Sequence, residues 1–332
     1  MLRRSLACAT LTGLLVVLAA CGGAKPPETA ETKASTSPKP AEPKPATLPG
    51  GRTKVFDGRF LVAYYGSPQT TRLGVLGEGN PEQTTKRLIK AARPFATKKR
   101  KIQPVYEVIV TVVDGGPGKD GDFSHDIPKR YVKQYIRAAH RHKALVLLDL
   151  QPGRSDFLSV AKRWEWALKD PWVGLALDPE WRMKRHQIPA RVLGSVDARE
   201  VNRTSAWLSA LVRRERLPEK VFMLHQFRTS MIRGIHRVKQ RPGLAMVQHV
   251  DGFGPPGAKL ATYHRVARPS SSRWATSSST TKTVRGSALP KCCGFDLRCG
   301  SSAFSSCLLD HLPHGIDDAM QKCVDGRALF GA

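Results

Sequence analysis

Short apolar runs alternate with longer segments of helical periodicity between Thr53 and Arg268, and this alternation restricts the chain to few architectures. Phe60–Tyr65, Val105–Val113, Ala144–Leu148, Trp172–Leu177, Lys220–Leu224 and Leu244–Gln248 read as strands, composed mostly of apolar or β-branched residues. Pro81–Phe95, Pro128–His142, Asp156–Leu168 and Ala198–Arg214 read as helices, with a weaker helix over Ser230–Lys239. Tyr131, Tyr135, Ile136 and Ala139 fall on one face of the second helix. Continuous apolar strands need cover on both faces, so the pattern predicts a parallel sheet sheathed by helices. Leu73–Gly79 contains glycines but lacks the spacing of a dinucleotide-binding turn, which favours a barrel over a doubly wound sheet. The fold class expected is α/β, a (β/α) TIM-like barrel that is incomplete at its C-terminal end.

Four segments follow from composition. Residues 1–20 carry Arg3 and Arg4, then a mostly apolar run too short to span a bilayer, which needs about 20 residues. Residues 21–52 are rich in Pro, Lys, Glu and Ala and bury little, so they read as an extended linker. Residues 53–268 are the barrel-like domain, and residues 269–332 a tail of different character. Leu18-Ala19-Ala20-Cys21 resembles the lipobox of bacterial lipoproteins. That resemblance implies cleavage before Cys21, a lipid on its sulfur, and attachment to the extracytoplasmic face of the cell membrane.

The tail begins abruptly. Ser270–Val284 is dominated by Ser and Thr, and five of the seven cysteines follow: Cys292, Cys293, Cys299, Cys307 and Cys323. A Ser-rich linker with a small cysteine module, a zinc site and a shifted reading frame all fit. The cysteines lack the paired spacing of a structural zinc site, and an odd number leaves one unpaired. A permitted choice of codons for Ser270–Thr283, read two bases on, encodes QFALGYKLFYDED. That is an apolar strand with acidic residues at its end, the element a barrel needs next.

In α/β barrels the functional groups sit at the carboxyl ends of strands. Those ends carry Tyr64 and Tyr65, Asp114, Asp149 and Gln151, Asp178 with Glu180 and Trp181, His225 with Gln226, and His249 with Asp251. The loop after the second strand adds His125 and Asp126. Polar and acidic groups thus follow nearly every strand of a chain with 54 Lys and Arg against 27 Asp and Glu, a net charge of +27. Asp178 and Glu180 lie two residues apart, which on a strand directs both side chains to one face. Neighbouring carboxylates drive their pKa values apart, leaving one as a general acid. Asp178-Pro179 equally starts a turn, with Glu180 capping the next segment, and His225 equally serves as a hydrogen-bonding rim residue.

Val173–Glu180 resembles the fourth-strand signature DGxDxDxE of family 18 glycoside hydrolases, the chitinase-like barrels. Gly174, Asp178 and Glu180 match, whereas Val173 and Ala176 stand where the pattern has Asp. The resemblance implies that Glu180 protonates the glycosidic oxygen with Asp178 as its assistant. Asp149 or Asp251 is then the further carboxylate. Tyr65 and Trp181 are candidates to stack on sugar rings, and His225, Gln226 and Asp251 to bind substrate. No motif calls for a metal or a cofactor. The partners expected are the membrane, through Cys21, and a carbohydrate or anionic envelope polymer. Nucleic acid is not expected, because no recognition motif accompanies the positive charge. A polysaccharide-binding protein without turnover and an inactive frame-shifted product are the alternatives to a glycoside hydrolase.

Overall fold

A computed structural model describes residues 45–98, 100–250 and 255–268, together with the backbone of four later strands, at 275–280, 283–284, 287–288 and 292–296. Cys21 and residues 22–44 of the expected linker lie outside the described residues, as does Asp251. Residues 45–52, also expected in that linker, are folded onto the domain instead: Leu48 is buried and Arg52 donates to Gln103 Oε1 at 2.6 Å. The elements are β1 (Arg59–Gly66), α1 (Pro81–Ala92), β2 (Lys101–Val113), β3 (Ser124–Asp126), α2 (Lys129–His142), β4 (Leu145–Leu150), α3 (Phe157–Arg163), α4 (Glu165–Leu168), β5 (Val173–Leu177), β6 (Val196–Asp197), α5 (Ala198–Arg214), β7 (Lys220–Gln226), β8 (Ile232–Arg233), β9 (Leu244–Val250), α6 (Pro256–Val266) and β10 (Ala275–Thr280). Among the described residues no helix is long and apolar enough to cross a membrane.

The main sheet is parallel in the order β1–β2–β4–β5–β7–β9 and curls into a partial barrel. Alternation along each strand sorts its side chains onto two faces. The outer set includes Phe60, Val62, Val108, Leu148, Leu175 and Phe222 and packs against helix residues such as Leu88, Val132, Val160 and Leu208. The inner set, Leu61, Ala63, Val105, Leu147, Ala176, Met223 and Val247, packs on itself and on Leu48, Val55 and Phe56 from the segment before β1. This second cluster closes the inside of the curl with apolar side chains.

Local chemistry fixes the helix starts. Asn80 accepts from the Gln83 backbone while the Gln83 side chain reaches back to the Asn80 N–H, a capping box, with Pro81 in the first turn. Asp156 and Asp197 cap α3 and α5 in the same sense. Two expectations fail for identifiable reasons. The helix expected over Asp156–Leu168 breaks at Trp164, which leaves helical geometry (φ −99°, ψ 8°). Its indole N–H donates to Thr111 Oγ1 on β2 at 3.0 Å. The helix expected over Ser230–Lys239 does not form. Two 3₁₀ turns, Thr229–Met231 and Ile235–Arg237, flank β8, and Gly234 between them takes a left-handed conformation (φ 68°) that ends any helix.

Beyond α6, β10 pairs in parallel with β9, Ala275 opposite Val247. The strand Cys292–Asp296 then pairs antiparallel with both β10 and β1. The position next to β9 is therefore taken by the Ser/Thr run of the tail, and the connection back to β1 is antiparallel, unlike a repeating (β/α) unit.

Candidate functional site

The inner face changes character one step above its apolar layer. Continuing by two residues from Ala63, Val105, Leu147, Ala176, Met223 and Val247 gives Tyr65, Glu107, Asp149, Asp178, His225 and His249. Five strands of the curl, and the residue that follows β5, thus each contribute one polar side chain to the next layer. Register aligns Tyr65 with Glu107 and His225 with His249 across neighbouring strands. All but Tyr65 are buried, and Glu107, Asp149 and His249 are fully so.

Contacts join Tyr65, Glu107, Asp149, His225 and His249 into one connected group. His225 Nε2 lies 2.8 Å from Glu107 Oε1 and 3.9 Å from Asp149 Oδ1. The Tyr65 hydroxyl donates to Asp149 Oδ2 at 3.0 Å and accepts a long bond from Gln151 Nε2 at 3.4 Å. The His225 ring lies 4.7 Å from that of His249 and 6.0 Å from that of Tyr65, centroid to centroid. Glu107 Oε2 and Asp149 Oδ1 are buried without a hydrogen-bond partner. Buried acceptors normally find partners, so two orphans in one layer mark a place built to meet something else.

The electrostatics follow from burial and proximity. Burial pushes the Asp149 carboxyl up to about 7, with Glu107 adding to the rise and the charge of His225 opposing it. Burial, then the neighbouring Asp149, holds Asp178 well above the ordinary carboxylate range. Burial alone would lower His225; the Glu107 charge and hydrogen bond, with Asp149 and Asp178, outweigh it and raise the imidazole to about 10. Burial, then the Asp149 charge, raises the Tyr65 phenol well above its usual value. Near neutrality the layer therefore holds an imidazolium beside Glu107 and, in Asp149, a carboxyl close to its own midpoint. Such a set exchanges protons near neutrality.

The expected pairing of Asp178 with Glu180 takes another form. Strand β5 ends at Leu177, and Pro179–Trp181 is a 3₁₀ turn. The two-residue period stops there. Asp178 Oδ1 accepts from the Glu180 N–H at 3.3 Å, so Asp178 starts a turn as Asp-Pro sequences do. Asp178 faces the buried layer. Glu180 instead lines a cleft of about 680 Å³ with Trp181, Leu193, Phe227, Arg228 and Arg265. Gln226 lies off the layer, because it alternates with His225. Its amide donates to the Arg228 carbonyl at 3.1 Å and accepts from Gln248 at 2.7 Å, tying β7 to β9. His125 lies on β3, paired with Asp114 at 2.8 Å, so part of the loop after β2 folds back as a hairpin.

Sequence reasoning reached Tyr65, Asp149, Asp178 and His225 because each stands at a strand end. It missed Glu107, which sits inside the 13-residue β2. The available signal was a lone carboxylate within an apolar run, which burial permits only with a partner. Among the described residues no group of three His, Cys, Asp or Glu is placed to hold a metal ion. No family model matches the chain. No curated protein matches it at a significant level.

Proposed function

We propose that this chain is a lipid-anchored extracytoplasmic protein whose TIM-like barrel hydrolyses a glycosidic bond by carboxyl acid–base chemistry. One observation carries this reading: Glu180 lines an open cleft while its backbone N–H donates to Asp178, a carboxyl held above its ordinary range by burial and by Asp149. A protonated carboxyl at neutral pH is what protonation of a leaving oxygen requires. Glu180 faces the open cleft and is the acid that meets the glycosidic oxygen; Asp178, bonded to its backbone, is the assistant, and Asp149 is the neighbouring carboxylate. Trp181 and Phe227 offer ring faces on the same cleft for stacking on sugar. The Leu18–Cys21 lipobox supports the address, and the polar β10 in the strand position after β9 supports a barrel whose end departs from the repeating pattern.

Binding of an envelope polysaccharide without turnover is favoured by one fact: Glu180 lines the cleft but Asp149 and Asp178 do not. The two readings separate on release of reducing ends from a panel of polysaccharides. Hydrolysis requires that Glu180→Gln removes turnover while sparing binding. Undiminished hydrolysis by that variant overturns the role given to Glu180. Binding with no hydrolysis by the wild-type chain establishes the second reading.

A further inference from the structure

Three guanidinium groups, of Arg191, Arg228 and Arg265, border the cleft that contains Glu180. All three residues are exposed, and none has a side-chain hydrogen bond or ion pair among the described residues. This contrasts with arginines nearby and elsewhere on the molecule. Arg182 is bonded to Glu200 at 2.9 Å, Arg163 to Asp126 at 3.0 Å and Arg214 to Glu165 at 2.8 Å. The cleft arginines come from three separate places: the segment before β6, the turn after β7 and helix α6. Three local folds thus deliver positive charge that is unpaired among the described residues to one concavity whose described lining holds one carboxylate, Glu180, and the side chains of Trp181 and Phe227.

A neutral sugar gives such a cleft little to pair with. It offers hydroxyls and ring faces, which the aromatics meet, and leaves three guanidiniums with only the Glu180 carboxylate of the described lining to offset them. A sugar chain carrying carboxylate or phosphate groups meets both features, because guanidinium binds either oxyanion through paired N–H donors. The volume, about 680 Å³, lies within the span of small-ligand clefts, roughly 300–1,000 Å³. We infer that the Glu180 cleft binds an acidic glycan, its anionic groups held by Arg191, Arg228 and Arg265 while Trp181 and Phe227 stack on the rings. This names the substrate class of the proposed glycosidase and rests on that reading only for turnover.

The net charge of +27 makes any polyanion bind to some degree, so the test must separate the cleft from the bulk field. The full chain is titrated calorimetrically with trigalacturonate, with xylotriose as a neutral trisaccharide and with a glycerol-phosphate dimer, all at physiological salt. The same titrations are run on Arg191→Ser/Arg228→Ser/Arg265→Ser and on a control with the same loss of charge, Arg93→Ser/Arg137→Ser/Arg213→Ser. The inference requires an anionic probe to bind at least about tenfold more tightly than xylotriose, an affinity that the cleft variant loses and the control keeps within about twofold. Binding of trigalacturonate identifies the anionic group as carboxylate; binding of the glycerol-phosphate dimer alone identifies it as phosphate. Equal losses in the two variants, or xylotriose bound as tightly as both anions, overturns the inference. Reducing-end release by wild type and Glu180→Gln is followed separately, so selective binding without hydrolysis removes the glycosidase reading and leaves the acidic-glycan site standing.

Discussion

Replacing Glu107 by Gln keeps the shape of the side chain and removes the anion that faces His225 at 2.8 Å. His225 is raised from 6.5 to about 10, against the effect of its own burial. A group whose folded pKa exceeds its unfolded value adds stability that is fully present below the unfolded pKa, here 6.5, and is lost as pH rises through about 10. The span from 6.5 to 10 corresponds to roughly 5 kcal/mol at 1.36 kcal/mol per pH unit. In the variant, burial regains its influence, and His225 should fall by about 1–3 pH units, the usual effect of one close opposite charge. Nitrogen chemical shifts of the imidazole, followed from pH 5 to 11, read this directly. Urea denaturation of both chains at each pH reads the linked stability.

The difference curve is needed because Lys220 acts in the opposite direction. Its ammonium is buried on the carbonyls of Asp170 and Val173, both at 2.7 Å, and burial lowers it from 10.5 to about 7. That contribution is lost as pH falls through this range, whereas the His225 contribution is lost as pH rises. Glu107→Gln leaves Lys220 untouched, so subtracting the curves isolates His225. Wild type should exceed the variant by the largest margin near pH 6, on the scale of 3–5 kcal/mol that breaking a buried ion pair costs, and the margin should shrink toward pH 10. A margin constant across pH, or an unchanged His225 titration, would refute an ionic Glu107–His225 pair.

Lys220→Met replaces a buried cation with an apolar chain of similar length. Its urea stability should fall less than that of wild type between pH 10 and pH 7; parallel curves would show that Lys220 stays charged throughout. Gly66→Ala should destabilise by more than about 1 kcal/mol, because the backbone is left-handed (φ +146°) and the new Cβ would lie 2.7 Å from the Leu73 carbonyl oxygen. A denaturation midpoint equal to wild type would show that the loop gives way freely. Trp164→Phe removes the donor to the buried Thr111 hydroxyl and should cost about 1–3 kcal/mol by the same measurement; no loss would mean the break between α3 and α4 has another cause.

Much of the frame was legible in the residues because burial on both faces writes a mostly apolar run. Val105–Val113 and Trp172–Leu177 fall within or within one residue of β2 and β5, and α5 spans Ala198–Arg214 as its periodicity predicts. Ser230–Lys239 misled because its composition suits a helix while Gly234 imposes a left-handed turn. In the site, Asp149 and His225 were found by counting to the strand end, a rule that passes over Glu107 in the middle of a long strand. Gln226 was drawn in by adjacency, although alternation sends it to the opposite face from His225. Asp178 and Glu180 were read with strand periodicity one residue beyond the point where the strand stops. Parity along each strand, carried through to the layer above the apolar plug, would have recovered the whole polar set.

Carbon-13 titration of the side-chain carboxyls of Asp149 and Asp178 in the folded chain tests the polar layer most directly. The account predicts that Asp149 titrates near 7 and that Asp178 titrates well above the range of a free aspartate. Two carboxyls ionising together near 4, as free aspartates do, would contradict it.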